Sequence, residues 1–180
     1  MTGVSKEESV SLDLLRQKMR DFAKERSWEP YHTPRNLLLA LVGEMGELSE
    51  IFQWKGEVER GLPNWKEEEK VHLGEELSDV LLYLIQLSDS CGIDLGQVAL
   101  RKLQLNAVGE MGELSEIFQW KGEVERGLPN WKEEEKVHLG EELSDVLLYL
   151  IQLSDSCDID LGQVALRKLQ LNAVKYPVNK

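Results

Sequence analysis

The chain has 180 residues, of which 42% are hydrophobic and 30% charged, a composition that excludes a disordered or fibrous protein. Acidic residues number 33 against 21 basic ones, and the formal charge of -12 argues against binding to a nucleic-acid polymer or an anionic membrane. The longest apolar run, residues 80–85, is too short to cross a bilayer, so we expect a cytoplasmic protein.

An internal repeat sets the organisation of the chain. Residues 42–107 recur as residues 108–173, and the two units differ only at Gly92 and Asp158. Removing one unit would leave a complete small domain. We therefore predict two parts, 1–107 with a first helix and the first unit, and 108–180 with the second unit and a tail. They are expected to form one compact domain or an intrachain pseudo-dimer.

Two amphipathic stretches open the chain. Residues 11–26 carry an apolar stripe at helical spacing, which predicts helix A, and a second stripe predicts helix B over about residues 34–54. Thr33 followed by Pro34 fits the N-cap and first turn of helix B. The inward positions are Leu12, Leu15, Met19, Phe22 and Ala23 in helix A, and Leu37, Leu41, Met45, Leu48 and Phe52 in helix B.

Each repeat then continues with a long helix and a shorter one. Helix C is predicted over about residues 65–90, with Asn64 and Glu67 as a capping box, and Asp94 with Gln97 is expected to cap helix D. Helices C and D recur at about 131–156 and 160–174. Helix D of the first unit can continue in register as helix B of the second. The pattern predicts an all-α helical bundle in which helices B, C and D are repeated.

The glycine between helices C and D is replaced in the second unit. Asp158 stands where the first unit has Gly92, just past the end of helix C. A left-handed C-cap at this position would cost about 1 kcal/mol with aspartate instead of glycine.

Helix B carries paired carboxylates at glycine-flanked positions. Glu44 and Glu47 are three residues apart, so they share one helix face and can reach one ion or one partner. Gly43 and Gly46 lie beside them, and each costs about 1 kcal/mol relative to alanine inside a helix. We therefore expect something to approach this backbone closely.

Helix C supplies a second pair, Glu76 and Asp79, and two interpretations remain open from the residues alone. Packing of helices B and C could bring four carboxylates together. Like charges at such distances need a cation, and an all-oxygen set suits Mg²⁺ or Mn²⁺ rather than zinc. The other interpretation is two ordinary acidic helix faces on an acidic protein.

Three motifs together resemble a known family. The patterns GE-x-GEL-x-E-x-FQWK, EELSDVL-YL and a final N-x-x-KYP are similar to the all-α nucleoside triphosphate pyrophosphohydrolases, the MazG-like family, and within it to the dCTP pyrophosphatase branch. The resemblance runs from about residue 12 to 107 and resumes to 177. It implies an enzyme that hydrolyses a deoxynucleoside triphosphate, with dCTP or a modified dCTP favoured, to the monophosphate and pyrophosphate, and so cleans the nucleotide pool.

The resemblance also implies a metal cofactor and the residues that bind it. Mg²⁺ is expected, with Mn²⁺ as a possible substitute, and Glu47 and its counterpart Glu113 are expected to orient the attacking water. The implied metal ligands are Glu44, Glu47, Glu76 and Asp79 in the first unit and Glu110, Glu113, Glu142 and Asp145 in the second. The implied nucleotide contacts are Trp28, His32, Trp54, Tyr83, Lys102 and Asn106, with Trp120, Tyr149, Lys168 and Asn172 in the second unit.

Neither unit matches the family pattern alone. The second unit has no helix A, and so no second Trp28 or His32, whereas the KYP ending occurs only at residues 175–177. Family members form homo-oligomers in which neighbouring chains complete the bundle, so we expect the second unit either to mimic a neighbouring subunit or to displace it. Two further hypotheses are a nucleotide- and metal-binding protein that turns over little because of the duplication, and a purely structural acidic protein.

Overall fold

The computed structural model describes residues 9–105 and 124–178. Within these ranges the chain forms six α-helices and no strand, which confirms the predicted all-α class. No helix in the described ranges combines the length and apolarity needed to cross a membrane. The helices are α1 (Leu12–Glu25), α2 (Pro34–Lys55), α3 (Glu67–Cys91), α4 (Leu95–Leu105), α5 (Glu133–Ser156) and α6 (Leu161–Lys175), with a short 3₁₀ helix at Glu29–Tyr31.

The first two helices begin where their capping residues predict. The Ser11 hydroxyl accepts a hydrogen bond from the Leu14 N–H at 3.1 Å, and the Thr33 hydroxyl accepts one from the Asn36 N–H at 3.3 Å. Such caps satisfy amide groups that have no partner within the helix. The observed bounds of α1 and α2 therefore agree with the predicted helices A and B to within a residue.

The cap of α3 differs from the predicted one. The N-cap residue is Lys66, whose N–H donates to the Glu69 carboxylate at 2.9 Å, and the predicted Asn64–Glu67 pair is wrong. Asn64 cannot cap the helix because it lies in a turn closed by the Trp65 N–H, which donates to the Leu62 carbonyl at 3.1 Å. The second repeat uses Lys132 in the same way.

The junction between the long and short helices agrees with the prediction in both repeats. Asp94 accepts a hydrogen bond from the Gln97 N–H, and Asp160 accepts one from the Gln163 N–H, each at 3.0 Å. Just before these caps the backbone is left-handed, with φ of 73° at Gly92 and 57° at Asp158. The predicted cost of aspartate at this position therefore applies to the second repeat.

Helix α3 lies at the centre of the bundle. It packs against α1, α2, α5 and α6, while α4 packs mainly along α5. Fully buried leucines hold these layers together, and burying each contributes about 1.5–3 kcal/mol before entropy costs. The predicted fusion of helix D with the following helix B falls on residues 106–123, outside the described ranges.

Candidate active site

Three of the predicted acidic residues lie together at the contact between α2 and α3. Glu44 and Glu47 project from one face of α2, and Glu76 projects from α3. One carboxylate oxygen of each lies within 4.8 Å of the others. Three oxygens that converge in this way can hold one hard divalent cation.

The burial of Glu76 tests whether these residues fit a metal ion. This residue is only 7% exposed, and its Oε2 has no hydrogen-bond partner within the described part of the chain. Its Oε1 lies 3.5 Å from His72 Nδ1. A buried carboxylate oxygen without a donor is costly unless a cation compensates it, and the oxygen-only set matches Mg²⁺ or Mn²⁺. The residues therefore fit such an ion.

The charges in this group disfavour one another. Burial, together with the neighbouring carboxylates of Asp79 and Glu47, raises the pKa of Glu44 to about 7. Burial and the charge of Asp79 also raise the pKa of Glu76. Without a cation, Glu44 and Glu76 therefore keep their protons to a higher pH than ordinary glutamates do.

Asp79, the fourth predicted ligand, is bound by a lysine instead of joining the group. Lys168 Nζ on α6 lies 2.5 Å from its Oδ2, and Glu75 lies 4.0 Å from the same nitrogen. Burial raises the pKa of Asp79, while Lys168 acts in the opposite direction. Asp79 is nevertheless close enough to the group for its charge to raise the pKa of Glu44 and Glu76.

A cavity of about 250 Å³ opens beside the acidic group, and aromatic residues form part of its lining. Trp28 meets Tyr176 edge to face, with ring centroids 5.2 Å apart, and His32 at 6.2 Å. Tyr83, Glu44 and Asp79 line the same cavity. The cavity thus joins an aromatic surface to an acidic one.

The second repeat and the tail that follows it also line this cavity. Lys168 and Asn172 on α6 line it, together with Lys175 and Tyr176 at the end of the chain. Both Lys168 and Asn172 are among the predicted nucleotide contacts, but the structure places them beside acidic residues of the first repeat. This assignment to the opposite repeat could not be read from the sequence.

An arginine holds the C-terminal tail against α1. Arg26 Nε donates to the Tyr176 carbonyl at 2.6 Å, and its Nη1 donates to the Phe22 carbonyl at 3.1 Å. The guanidinium also lies 3.6 Å from the centre of the Phe22 ring. Neither Arg26 nor Tyr176 was among the predicted site residues. The only signal for Tyr176 was its place in the KYP ending.

Trp54 lies in a different place from Trp28. Its side chain is 81% exposed and lines an open groove of about 620 Å³ with Glu47, Trp65 and His72. Glu44 lines the cavity and Glu47 lines the groove, so the acidic group lies between the two. The predicted tryptophans therefore offer two alternative aromatic surfaces.

Residues Glu69 and His72 have the i, i+3 spacing found in di-iron bundles, but the structure uses Glu69 differently. Its carboxylate caps α3 and also accepts a hydrogen bond from Lys55 Nζ at 2.6 Å. Glu69 therefore already serves α3 and does not belong to the acidic group.

The second repeat shows only part of its predicted set within the described ranges. Glu142 and Asp145 are buried on α5, and Lys102 Nζ of α4 lies 2.7 Å from Asp145. Tyr149 is partly exposed on the same helix. The remaining predicted positions, Asn106, Glu110, Glu113 and Trp120, lie outside the described residues.

Comparison with known proteins agrees with this geometry. Residues 32–105 match the family described as the MazG nucleotide pyrophosphohydrolase domain, and this range includes all three carboxylates of the acidic group. Residues 32–105 are thus similar to the MazG-like family. The expected resemblance is therefore confirmed.

Particular relatives are more closely similar. The chain is 51% identical over 96 residues to dCTP pyrophosphatase 1 of Mus musculus and to dCTP pyrophosphatase 1 of Homo sapiens. In both comparisons the matched region covers 53% of this chain and 56% of the relative. The chain thus spans little more than half the length of these curated proteins.

Proposed function

We propose that this protein hydrolyses a deoxynucleoside triphosphate, with dCTP or a modified dCTP favoured, to the monophosphate and pyrophosphate. The observation that carries the proposal is the position of the three converging carboxylates beside an aromatic-lined cavity. The similarity to proteins named dCTP pyrophosphatase 1 supports the choice of reaction and base. Such an activity would remove unwanted nucleotides from the cellular pool.

Glu44, Glu47 and Glu76 would hold Mg²⁺, or Mn²⁺ in its place. A bound divalent ion would neutralise the phosphates and lower the pKa of a coordinated water. Glu47 is the most exposed of the three carboxylates, so it is accessible to an attacking water and is our candidate for orienting it. The half-buried Glu44 and the buried Glu76 would hold their positions with little rearrangement.

The cavity would orient the nucleotide with respect to the carboxylates. Trp28 presents an aromatic surface for the base, and stacking on it tolerates any base. Preference for a pyrimidine must then come from hydrogen bonds to the base edge. Tyr83 can pack against the sugar, and Lys168 lies where a triphosphate would pass towards the acidic group. Asn172, one turn further along α6, would contact the sugar side.

A nucleotide- and metal-binding protein with little turnover is the alternative function. It would use the same cavity, and the duplication would spoil only the catalytic step. The names of the relatives do not favour it. Binding without hydrolysis remains its distinguishing property.

Release of pyrophosphate from dCTP, with Mg²⁺ or with EDTA, tests the proposal. We expect dCMP and pyrophosphate in Mg²⁺, no product in EDTA, and a loss of at least about 100-fold in Glu76→Gln, which removes one charge without changing size. Thermal stabilisation by dCTP and Mg²⁺ without product would support the alternative, because a ligand that binds only the folded state raises its stability. Release of phosphate instead of pyrophosphate would contradict the proposed reaction.

We also propose that the chain forms homo-oligomers whose contacts are altered by the second repeat. The support for this proposal is that both described helices of that repeat pack against α3 within the same chain. Size-exclusion chromatography with light scattering measures the oligomeric state. An ordinary tetramer in which the second repeat is unfolded would contradict this proposal.

A further inference from the structure

The two repeats exchange their short helices. Helix α6 of the second repeat packs along α3 of the first, and α4 of the first packs along α5 of the second. A methyl group added at Gly74 on α3 would lie 3.2 Å from Val164 Cγ1 on α6, and one added at Gly140 on α5 would lie 3.2 Å from Val98 Cγ1 on α4. The two close contacts are equivalent under the repeat. Each short helix therefore packs mainly against the long helix of the other unit.

Matching backbone contacts join the loops of the two repeats. The Gly61 N–H donates to the Ser156 carbonyl at 2.8 Å, and the Gly127 N–H donates to the Ser90 carbonyl at 2.7 Å. Each bond links the loop before one long helix to the end of the other long helix. The repeats are thus related as two subunits of a symmetric dimer would be.

This exchange determines which residues meet at the cavity. Lys168 and Asn172 come from α6, whereas Glu44, Asp79 and Tyr83 come from the first repeat. We propose that the second repeat of the same chain completes the nucleotide site of the first, so that one chain carries one complete site. This proposal rests on the proposed function, because it assigns the residues of that same site.

The chain can build the aromatic part of the site only once. Trp28 and His32 follow α1, and the sequence has a single copy of this segment. Tyr176 packs on Trp28, and the segment after α6 that carries Tyr176 also occurs once in the sequence. The acidic residues Glu142 and Asp145 of the second repeat have no second copy of these aromatics to face.

The two lysine–aspartate pairs also differ in how exposed they are. Lys102 and Asp145 are 7% and 4% exposed, whereas Lys168 and Asp79 are 15% and 17% exposed and open onto the cavity. Removing one partner of an enclosed ion pair leaves an uncompensated buried charge, whereas a pair that lines a cavity is also within reach of a ligand. Within the described residues, Lys168 therefore lies where it can bind a ligand, whereas Lys102 is enclosed with Asp145.

Replacing the two lysines one at a time tests the proposal, because residues 95–108 and 161–174 have the same sequence. We expect Lys168→Met to lower kcat/KM for dCTP at least about tenfold more than Lys102→Met, with partial rescue by Lys168→Arg. Lys102→Met should instead lower the melting temperature more, since it leaves Asp145 buried and unpaired. Equal losses of activity, or a larger loss in Lys102→Met, would overturn the proposal.

Titration calorimetry with a non-hydrolysable dCTP analogue and Mg²⁺ gives a second readout that does not depend on turnover. We expect one site per chain in the full-length protein and at least tenfold weaker binding in Lys168→Met. Two sites per chain, or one site per two chains, would overturn the composite site even if dCTP is hydrolysed. One site per chain without hydrolysis would refute the enzymatic function but leave the composite site standing. Absence of both binding and turnover would refute both proposals.

Discussion

Helices α4 and α6 have the same sequence over Leu95–Leu105 and the matching part of Leu161–Lys175, yet they occupy different surroundings. On α4, Lys102 is enclosed with Asp145 in the interior between α4 and α5. On α6, Lys168 meets Asp79 at the edge of the aromatic cavity. The same side chain is therefore a buried structural group in one place and a cavity-lining group in the other.

This difference comes from segments that are not repeated. Helix α1 and the tail after α6 pack near the first acidic group, and Arg26 ties them together through the Tyr176 carbonyl. The second acidic residues lack both segments. We therefore expect that repeating the acidic helices has not produced a second copy of the proposed active site, because the segments proposed to enclose the substrate are not repeated.

Replacing Glu47 should show the functional difference between the two repeats most clearly. We expect Glu47→Ala to lower kcat for dCTP at least about 100-fold, because it removes a metal ligand and the group that orients the water. The matched variant is Glu113→Ala, which changes the equivalent position of the second repeat. It should lower kcat no more than a few-fold. Rates of pyrophosphate release at saturating Mg²⁺ measure both.

The double variant Glu47→Ala with Glu113→Ala completes the experiment. It should show no Mg²⁺-dependent turnover above background. If Glu47→Ala alone keeps full activity, the working site belongs to the second repeat, and the asymmetry argued above is reversed.

The two tryptophans separate the cavity from the groove. We expect Trp28→Ala to raise KM for dCTP about tenfold, because the loss of a base-stacking surface costs about 1–3 kcal/mol. Trp54→Ala should raise it less, since its ring is 81% exposed and lies on the other side of the acidic group. A larger effect at Trp54 would place the base in the groove.

Much of this arrangement could be predicted from periodicity and spacing. The helical stripes gave the bounds of α1 and α2 to within a residue, and the i, i+3 spacing put Glu44 and Glu47 on one face. These features are local, because they depend on a few consecutive residues and on helix geometry. The left-handed backbone at Asp158 is a local feature of the same kind, and it was also predicted.

The exchange of helices between repeats could not be predicted in this way. Because α4 and the matching part of α6 have the same sequence, no local pattern says which long helix either of them joins. The pairing of Lys168 with Asp79 follows from that choice and removes Asp79 from the three-carboxylate group. We also expected something to approach the backbone at Gly43 and Gly46 closely. A methyl group added at either glycine meets no described protein atom within 4 Å.

The single difference between the repeats provides a matched test of stability. Asp158→Gly should raise the free energy of unfolding by about 1 kcal/mol, because glycine adopts the observed φ of 57° without strain. Gly92→Asp should lower it by a similar amount, and a methyl group there would meet only Gly127 Cα, at 3.8 Å. Urea unfolding of both variants measures the pair. Changes of the same sign would show that the two C-caps are not equivalent.

The two repeats should also differ in how their acidic residues are neutralised in the absence of metal. Asp145 has Lys102 as a buried partner, whereas the pKa of Glu44 is raised to about 7 by burial and by Asp79 and Glu47. A raised folded-state pKa means that the folded protein binds the proton more tightly than the unfolded chain. Its contribution to stability is therefore present below the ordinary glutamate value of 4.5 and is lost as pH rises to about 7.

In EDTA, the melting temperature of Glu44→Gln should increasingly exceed that of the parent protein as pH rises from about 4.5 to about 7, because the amide carries no charge to bury. Glu50→Gln, at an exposed position of α2, is the control and should follow the parent. Solvent screening at the half-buried Glu44 keeps the effect to a few degrees. Added Mg²⁺ should remove the advantage above pH 7 by stabilising the parent more than Glu44→Gln, because metal binding requires the ionised carboxylate. If the parent and Glu44→Gln melt in parallel over this range with and without Mg²⁺, Glu44 is not part of an electrostatically strained group, and the first acidic set differs from the second only in its surroundings.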